Sequence, residues 1–416
     1  MSVTVVSVLL LSFLMVASPA SSSVIIIHNS NPASYDMFGG TIDAANGFLA
    51  VGDSLYNGQQ GEVLLYDGVS GSLIRTLVSP SVSQSAGEFG WSVEISGSLL
   101  FVGAPGETVN GVGSAGRVYI FNLGTGALLK TLLSTSPEHL GDFGRAVDVA
   151  DGLLAVGAPF EMVDGVQAGR VHVLDIRTGT EIMNLATPNP VGDRSNFGGA
   201  FGARVNIADD HVIVGAPAEN QLSGRAYVFN ISTGALVSTL VSPNSPLVSY
   251  FGSSVAVKDD RAFVGSPFET VDGVTFFGRV YVFDLATGAP VKNFTSPNTN
   301  ALVPNSSDGF GRSITLAGNS LIVGAPYDPV STTTAGRVYV FGAESGKLKS
   351  TLASPETGVS GSFGCLGNEV DSSKDRVFAG APCQAVNGQL WAGAVYIFSR
   401  DGGPSQDDSG SNVNQP

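Results

Sequence analysis

The chain has 416 residues, of which 43% are hydrophobic, 13% are charged and 54 are glycine, and its formal net charge is −15. So acidic a surface repels phosphate backbones, which argues against nucleic acid or an anionic membrane as a partner. Sparse charge with abundant glycine suits many short buried strands joined by tight turns, and suits neither helices nor disorder.

In chain order, the first segment is apolar from Val3 to Ala17 and is followed by small residues, Ser18-Pro-Ala-Ser-Ser-Ser23. It is too short to cross a bilayer and reads as a secretory signal over residues 1–22, cleaved near Ala20. Its start lacks Lys and Arg, and the other reading is a buried N-terminal strand. No later stretch could span a membrane, so the expectation is a secreted protein with no direct membrane insertion.

Residues 23–400 repeat. A Phe-Gly pair recurs at Phe38, Phe89, Phe143, Phe201, Phe251, Phe310 and Phe363. After each comes an apolar segment closing in Val-Gly-Ala-Pro or a variant, as at Val102, Val156, Val214 and Val323. The offset from Phe to that Gly is 14 residues in six repeats and 17 in the last, while the gaps between repeats vary from 50 to 59. Constant spacing inside a unit with variable spacing between units means rigid strands joined by tolerant loops.

Each unit reads as four strands. Strand A follows Phe-Gly, as in Ser92-Val-Glu-Ile95, and a tight turn such as Asp151-Gly152 leads to strand B, the run into Gly-Ala-Pro. A longer loop leads to strand C, typically Gly-Arg-Val-Tyr-Val-Phe, and a Thr-Gly turn leads to strand D, as in Leu128-Leu-Lys-Thr-Leu132. Seven four-stranded units of this length predict an all-β, seven-bladed β-propeller. The seventh unit runs out of strand C into a polar tail, and Val24-Ile-Ile-Ile27 stands where a strand D belongs. The N-terminal strand is therefore expected to complete blade seven and shut the ring, removing the exposed edges of an open sheet. Residues 401–416 are expected to be disordered, being polar and rich in Gly and Ser. Cys365 and Cys383 are the two cysteines, and in a secreted chain they are expected to pair within blade seven.

The Phe-Gly and Gly-Ala-Pro elements resemble the FG-GAP repeats of the integrin α-subunit N-terminal propeller, over all seven units. The resemblance implies an extracellular platform for adhesion or ligand binding. In other large proteins of this kind the propeller accompanies a catalytic domain. Many relatives carry a calcium loop, D-x-D-x-D-G, between strands A and B. Here that connection is short, as in Ala150-Asp-Gly-Leu153 and Ala208-Asp-Asp-His211. One or two carboxylates cannot supply the six to eight oxygens that calcium takes, so no metal or other cofactor is expected.

Two groups of residues are candidates for ligand binding. Counting each Phe as first, the sixth position reads Asp43, Glu94, Asp148, Asn206, Ala256, Thr315 and Asn368. Its neighbours are apolar, so these residues are expected to face the central channel. The three carboxylates could hold a cation or cationic group there, or simply line a wet channel. The B–C loops carry Glu161 and Asp164 in blade three and Glu269 and Asp272 in blade five, in matching Phe-Glu-x-Val-Asp-Gly sequences. These are loop-face candidates, and their Asp-Gly pairs are also ordinary turn chemistry. Arg117, Arg170, Arg225, Arg279 and Arg337 all begin strand C, and a residue repeated in five blades reads as a blade-to-blade contact. Asn230, Asn293 and Asn305 head glycosylation sequons, which matter if the source is eukaryotic.

Neither H-E-x-x-H nor G-x-S-x-G occurs, and none of the four histidines recurs at a fixed place in the unit. The expectation is a non-enzymatic binding propeller that recognises an extracellular protein or glycan through one loop face. The alternative is an extracellular polysaccharide hydrolase or lyase using carboxylates at the channel mouth.

Overall fold

The computed structural model describes residues 24–400 apart from 82–85, 191–198, 245–246, 299–307, 330–333 and 357–363. The expected signal segment, the tail, Asn305 and Phe363 lie outside the described residues. Among the described residues the chain forms seven four-stranded antiparallel sheets, the seven blades. Blade one shows the pattern: strand A is Thr41–Ala45, B is Phe48–Asp53, C is Glu62–Asp67 and D is Leu73–Val78. Two short stretches, Tyr56–Gln59 and Glu219–Leu222, have helical hydrogen bonding but contain left-handed residues, and are compact turns.

Strand B is a run of Val, Leu, Ile and Ala because a neighbouring blade covers each of its faces, and its interior residues are buried in every blade. The Phe of each Phe-Gly pair fills the space between blades. Phe89, for instance, packs with Val63 and Leu65 of blade one and with Val102 and Tyr119 of blade two. Truncating such a ring to Ala costs about 3–5 kcal/mol.

Glycine is required where the two repeated motifs meet. A Cβ on Gly103 would lie 2.0 Å from the carbonyl oxygen of Gly144 in the next blade, and one on Gly157 would lie 1.9 Å from that of Gly202. The Gly-Ala-Pro glycine of one blade is thus pressed beneath the Phe-Gly carbonyl of the next. The contact recurs round the ring and closes it, Gly380 lying against Gly39.

The same contact corrects the register of blade seven. Gly324 meets Gly367 there, and Leu366 bridges Gly336 as Phe143 bridges Gly116. Leu366-Gly367 is therefore the blade-seven counterpart of Phe-Gly, and the interval to Gly380 is 14 residues, as in the other blades. The pair at Phe363-Gly364 precedes it by three residues and is not the structural repeat. The sixth position of this blade is consequently Asp371, paired with Phe378 as Asp43 pairs with Ala50, and not Asn368.

Blade seven is completed by the chain start. Ile25–His28 pairs antiparallel with Ala394–Ser399, Ile25 opposite Ile397 and Ile27 opposite Val395. Cys365 and Cys383 form a disulfide, which ties the loop before strand A of this blade to its B–C loop.

Candidate functional site

The D–A and B–C loops gather at one end of the ring, and a repeated polar brace stiffens them. In blade two Glu107 is fully buried and accepts hydrogen bonds from the Tyr119 hydroxyl (2.6 Å), from Arg117 (2.5 Å) and from the Ser79 hydroxyl (2.5 Å). Ser79 belongs to the loop leaving blade one, so the brace ties two blades together. Glu219 does the same with Tyr227 (2.5 Å), Arg225 (3.3 Å) and Thr187 (2.8 Å), and Asp328 with Tyr339, Arg337 (3.1 Å) and Asn298 (2.6 Å). Glu269, also fully buried, holds Tyr281, Ser242 (3.0 Å) and Asn244 (2.7 Å). A buried carboxylate needs such partners, and each brace supplies them.

The strand-C arginines act mainly inside their own blades, though Arg117 also donates to Ser81 in the loop leaving blade one at 3.1 Å, a contact of the expected blade-to-blade kind. Arg117, Arg225, Arg279 and Arg337 each pair with the acid of their own blade, and Arg170 donates to Met162 O and Asn184. Most of the interblade link is made by a Ser, Thr or Asn side chain of the preceding loop, as at Ser79, Thr187, Ser242 and Asn298.

Blade three uses His172 where five other blades have Tyr. Its Nε2 meets Glu161 at 2.8 Å and its Nδ1 meets Glu181 at 2.8 Å, with the ring 1% exposed. Burial disfavours the imidazolium, but the two glutamates outweigh it and raise the His172 pKa to about 9. Blade one has neither the Arg nor the Tyr, carrying Glu62 and Leu64 instead. There Asp53 accepts from Asn29 at 2.8 Å, and burial, then Asp36 and Glu62, raise its pKa to about 8.

Glu161 and Glu269 thus lie inside, at 1% and 0% exposure, within braces. Asp164 and Asp272 sit at the tips of small B–C hairpins with left-handed φ of 52° and 50°, each followed by a left-handed Gly. That is the type I′ geometry for which Asp-Gly is suited.

The channel runs down the ring axis as a cavity of about 720 Å³ lined by the A strands and opening among the D–A and B–C loops, with Leu55, Phe160, Ala218 and Tyr250 at its mouth. Asp43, Glu94 and Asp148 line it, with Asn206, Thr315 and Asp371, while Ala256 is buried in the core beside it. These side chains latch blade to blade. Asp43 accepts from the Ile95 N–H at 2.6 Å, Asp148 from the Ile207 N–H at 2.5 Å, Asn206 from the Val257 N–H at 2.8 Å and Asp371 from the Ala44 N–H at 2.6 Å. Burial first, then mutual repulsion, raises Asp43 and Glu94 well above the usual carboxyl range. Burial also raises Asp148 and Asp371 to about 6, against the backbone hydrogen bonds that favour their charged forms. Among the described residues no cluster of three or more His, Cys, Asp or Glu side chains is arranged to hold a metal.

Nearer the mouth the channel changes sign. Arg145 and Arg312 at the third position and Arg204 at the fourth line it, with Trp91 and Glu369. The Arg145 guanidinium lies over Trp91, 3.9 Å from the ring centroid, a cation–π stack. These arginines recur in too few blades to stand out from the repeat.

Residues 78–121 and 301–341 match the family model described as FG-GAP repeat. The chain is 30% identical over 162 residues to integrin alpha-2 of Bos taurus, covering 35% of this chain and 13% of the integrin. It is 27% identical over 157 residues to integrin alpha-11 of Mus musculus and 26% identical over 157 residues to integrin alpha-11 of Homo sapiens, in each case over 34% of this chain and 13% of the integrin. The chain is an integrin-alpha-like propeller of FG-GAP repeats. Only a small part of each integrin is matched, so what the whole integrins do is not carried over by the match. In this FG-GAP propeller the A–B connections are two-residue hairpins, as between Ala45 and Phe48 and between Ala150 and Leu153. Asn293 is exposed on strand D of blade five, whereas Asn230 ends strand C of blade four with its side-chain oxygen engaged by Ser232 and Thr233.

Proposed function

We propose that this FG-GAP propeller is a secreted binding protein of the adhesion type, taking an extracellular protein or glycan on the face formed by its D–A and B–C loops. The carrying observation is the similarity to integrin alpha chains. The braces support the choice of face, because they hold long loops rigidly around the one wide opening of the channel, where binding surfaces are built on propellers. The opposite face offers only tight A–B and C–D turns. The hydrolase or lyase reading gains little, since Asp43, Asp148 and Asp371 are occupied as latches between blades. Screening the secreted chain against arrays of extracellular proteins and glycans tests the proposal. Saturable binding to at least one ligand, without turnover of it, is expected. Turnover of a bound polysaccharide would overturn the reading.

A further inference from the structure

The channel mouth brings together three guanidinium groups that the fold does not use up. Each guanidinium carries five N–H donors and is always charged. Arg204 donates through Nη1 to Ala203 O at 2.9 Å, and Arg145 lies 3.5 Å from Asp142. Among the described residues neither Arg204 nor Arg312 is in an ion pair, in contrast to the strand-C arginines, four of which face a buried acid. Glu369 is the carboxylate at this level of the channel, and one of its oxygens accepts from the Ser313 hydroxyl at 3.0 Å. Three partly buried cations line one cavity, with Glu369 acting on Arg204 and Arg312 through their charges.

We propose that Arg145, Arg204 and Arg312 bind the carboxylate of an acidic sugar, a uronate unit of an extracellular glycan, with its ring in the channel mouth. The inference rests on the binding reading above and gives it a ligand chemistry. Guanidinium forks match a carboxylate in shape as well as charge. Trp91, with one ring face under Arg145, and Tyr250 bring aromatic surface to the wall, suited to packing against a sugar ring. Beneath the arginines, where Asp43 and Asn206 are held as latches, the Glu94 carboxyl and the Thr315 hydroxyl line the floor and can meet ring hydroxyls. An acidic peptide side chain would reach the arginines but leave this polar floor unmatched, whereas a uronate carries its carboxylate and hydroxyls on one rigid ring. The three cations also repel one another. Burial brings Arg204 down to about 10; Glu369 opposes this, Arg312 and Arg145 add to it, and a bound anion would act in the same sense as Glu369.

The test is calorimetric titration of the whole secreted chain with a galacturonic acid trimer, with the neutral galactose trimer and a glutamate-rich hexapeptide as comparators. The uronate trimer is expected to bind, more weakly as salt rises, and at least about ten-fold more tightly than either comparator. Arg204→Gln and Arg312→Gln should each weaken it on the order of ten-fold without a large change in melting temperature. Glu369→Gln removes a competing carboxylate and should tighten it, which gives a readout even where an arginine variant folds poorly. Equal binding of the neutral trimer, unchanged affinity in both arginine variants, or preference for the peptide would overturn the inference. If the arrays show a ligand while the uronate trimer does not bind, this inference fails and the adhesion reading stands.

Discussion

His172 shows how one substitution in a repeated brace alters chemistry while keeping geometry. Its folded pKa of about 9 lies above the ordinary 6.5, so the stability it contributes is full below pH 6.5 and is lost as pH rises through 9. Asp53 acts in the same direction: its pKa is raised from 3.8 to about 8, so its contribution is greatest below pH 3.8 and is lost as pH climbs through 8. The melting temperature should therefore fall between pH 6.5 and 9. His172→Tyr, which installs the residue used at Tyr119 and Tyr227, should flatten part of that slope. Thermal unfolding across this range would show it, and a parental slope in the variant would remove His172 as the cause. The acids and arginines of these braces were visible in the sequence as repeats. Their joint role was not, because Tyr119, Tyr227, Tyr281 and Tyr339 sit inside apolar strand-C runs and carry no sign that the hydroxyl is used. Arg145, Arg204 and Arg312 escape notice for the opposite reason: Arg recurs at the third position in only two blades and at the fourth in one, too rarely to stand out as part of the repeat.

Among the elements, the glycine contact between blades is the tightest constraint. Gly157→Ala would place a methyl group 1.9 Å from the carbonyl oxygen of Gly202, where only backbone can yield. A loss of at least about 2 kcal/mol is expected in denaturant unfolding, and a neutral result would mean that the blades are packed less closely than described. The same contact explains what misled the reading of blade seven. Phe363-Gly364 has the right letters, but the backbone geometry chooses Leu366-Gly367, and an apolar Leu serves the packing role of Phe. The expected disulfide between Cys365 and Cys383 is present, and the 17-residue offset read for the last repeat is an artefact of that register. The bond closes a separation of 18 residues, so replacing both cysteines with Ala should cost about 3 kcal/mol in the loop-entropy account. A double variant that unfolds at the parental midpoint would contradict it.

For the whole molecule, the ring closes through the chain start. Strand alternation, turn chemistry and the orphan strand at Val24 made the closure legible, because each blade needs four strands and the last repeat supplies only three. Deleting residues 24–28 strips the partner from strand C of blade seven and removes the apolar burial made by Ile26 and Ile27, at a cost of at least about 3 kcal/mol. Secretion and melting of that truncated chain at parental levels would argue against the closure. The face proposed for binding was less legible, since loop ends are placed by the fold and not by any local pattern. Two single-cysteine variants test it directly. Met162→Cys places a thiol on the B–C hairpin of blade three, and Asp210→Cys places one on the A–B turn of blade four at the opposite end. Each is conjugated to a bulky polyethylene glycol and presented to the array that binds the parent. Conjugation at position 162 should abolish binding and conjugation at position 210 should leave it intact; loss of binding only from position 210 would contradict the assignment of the D–A and B–C face.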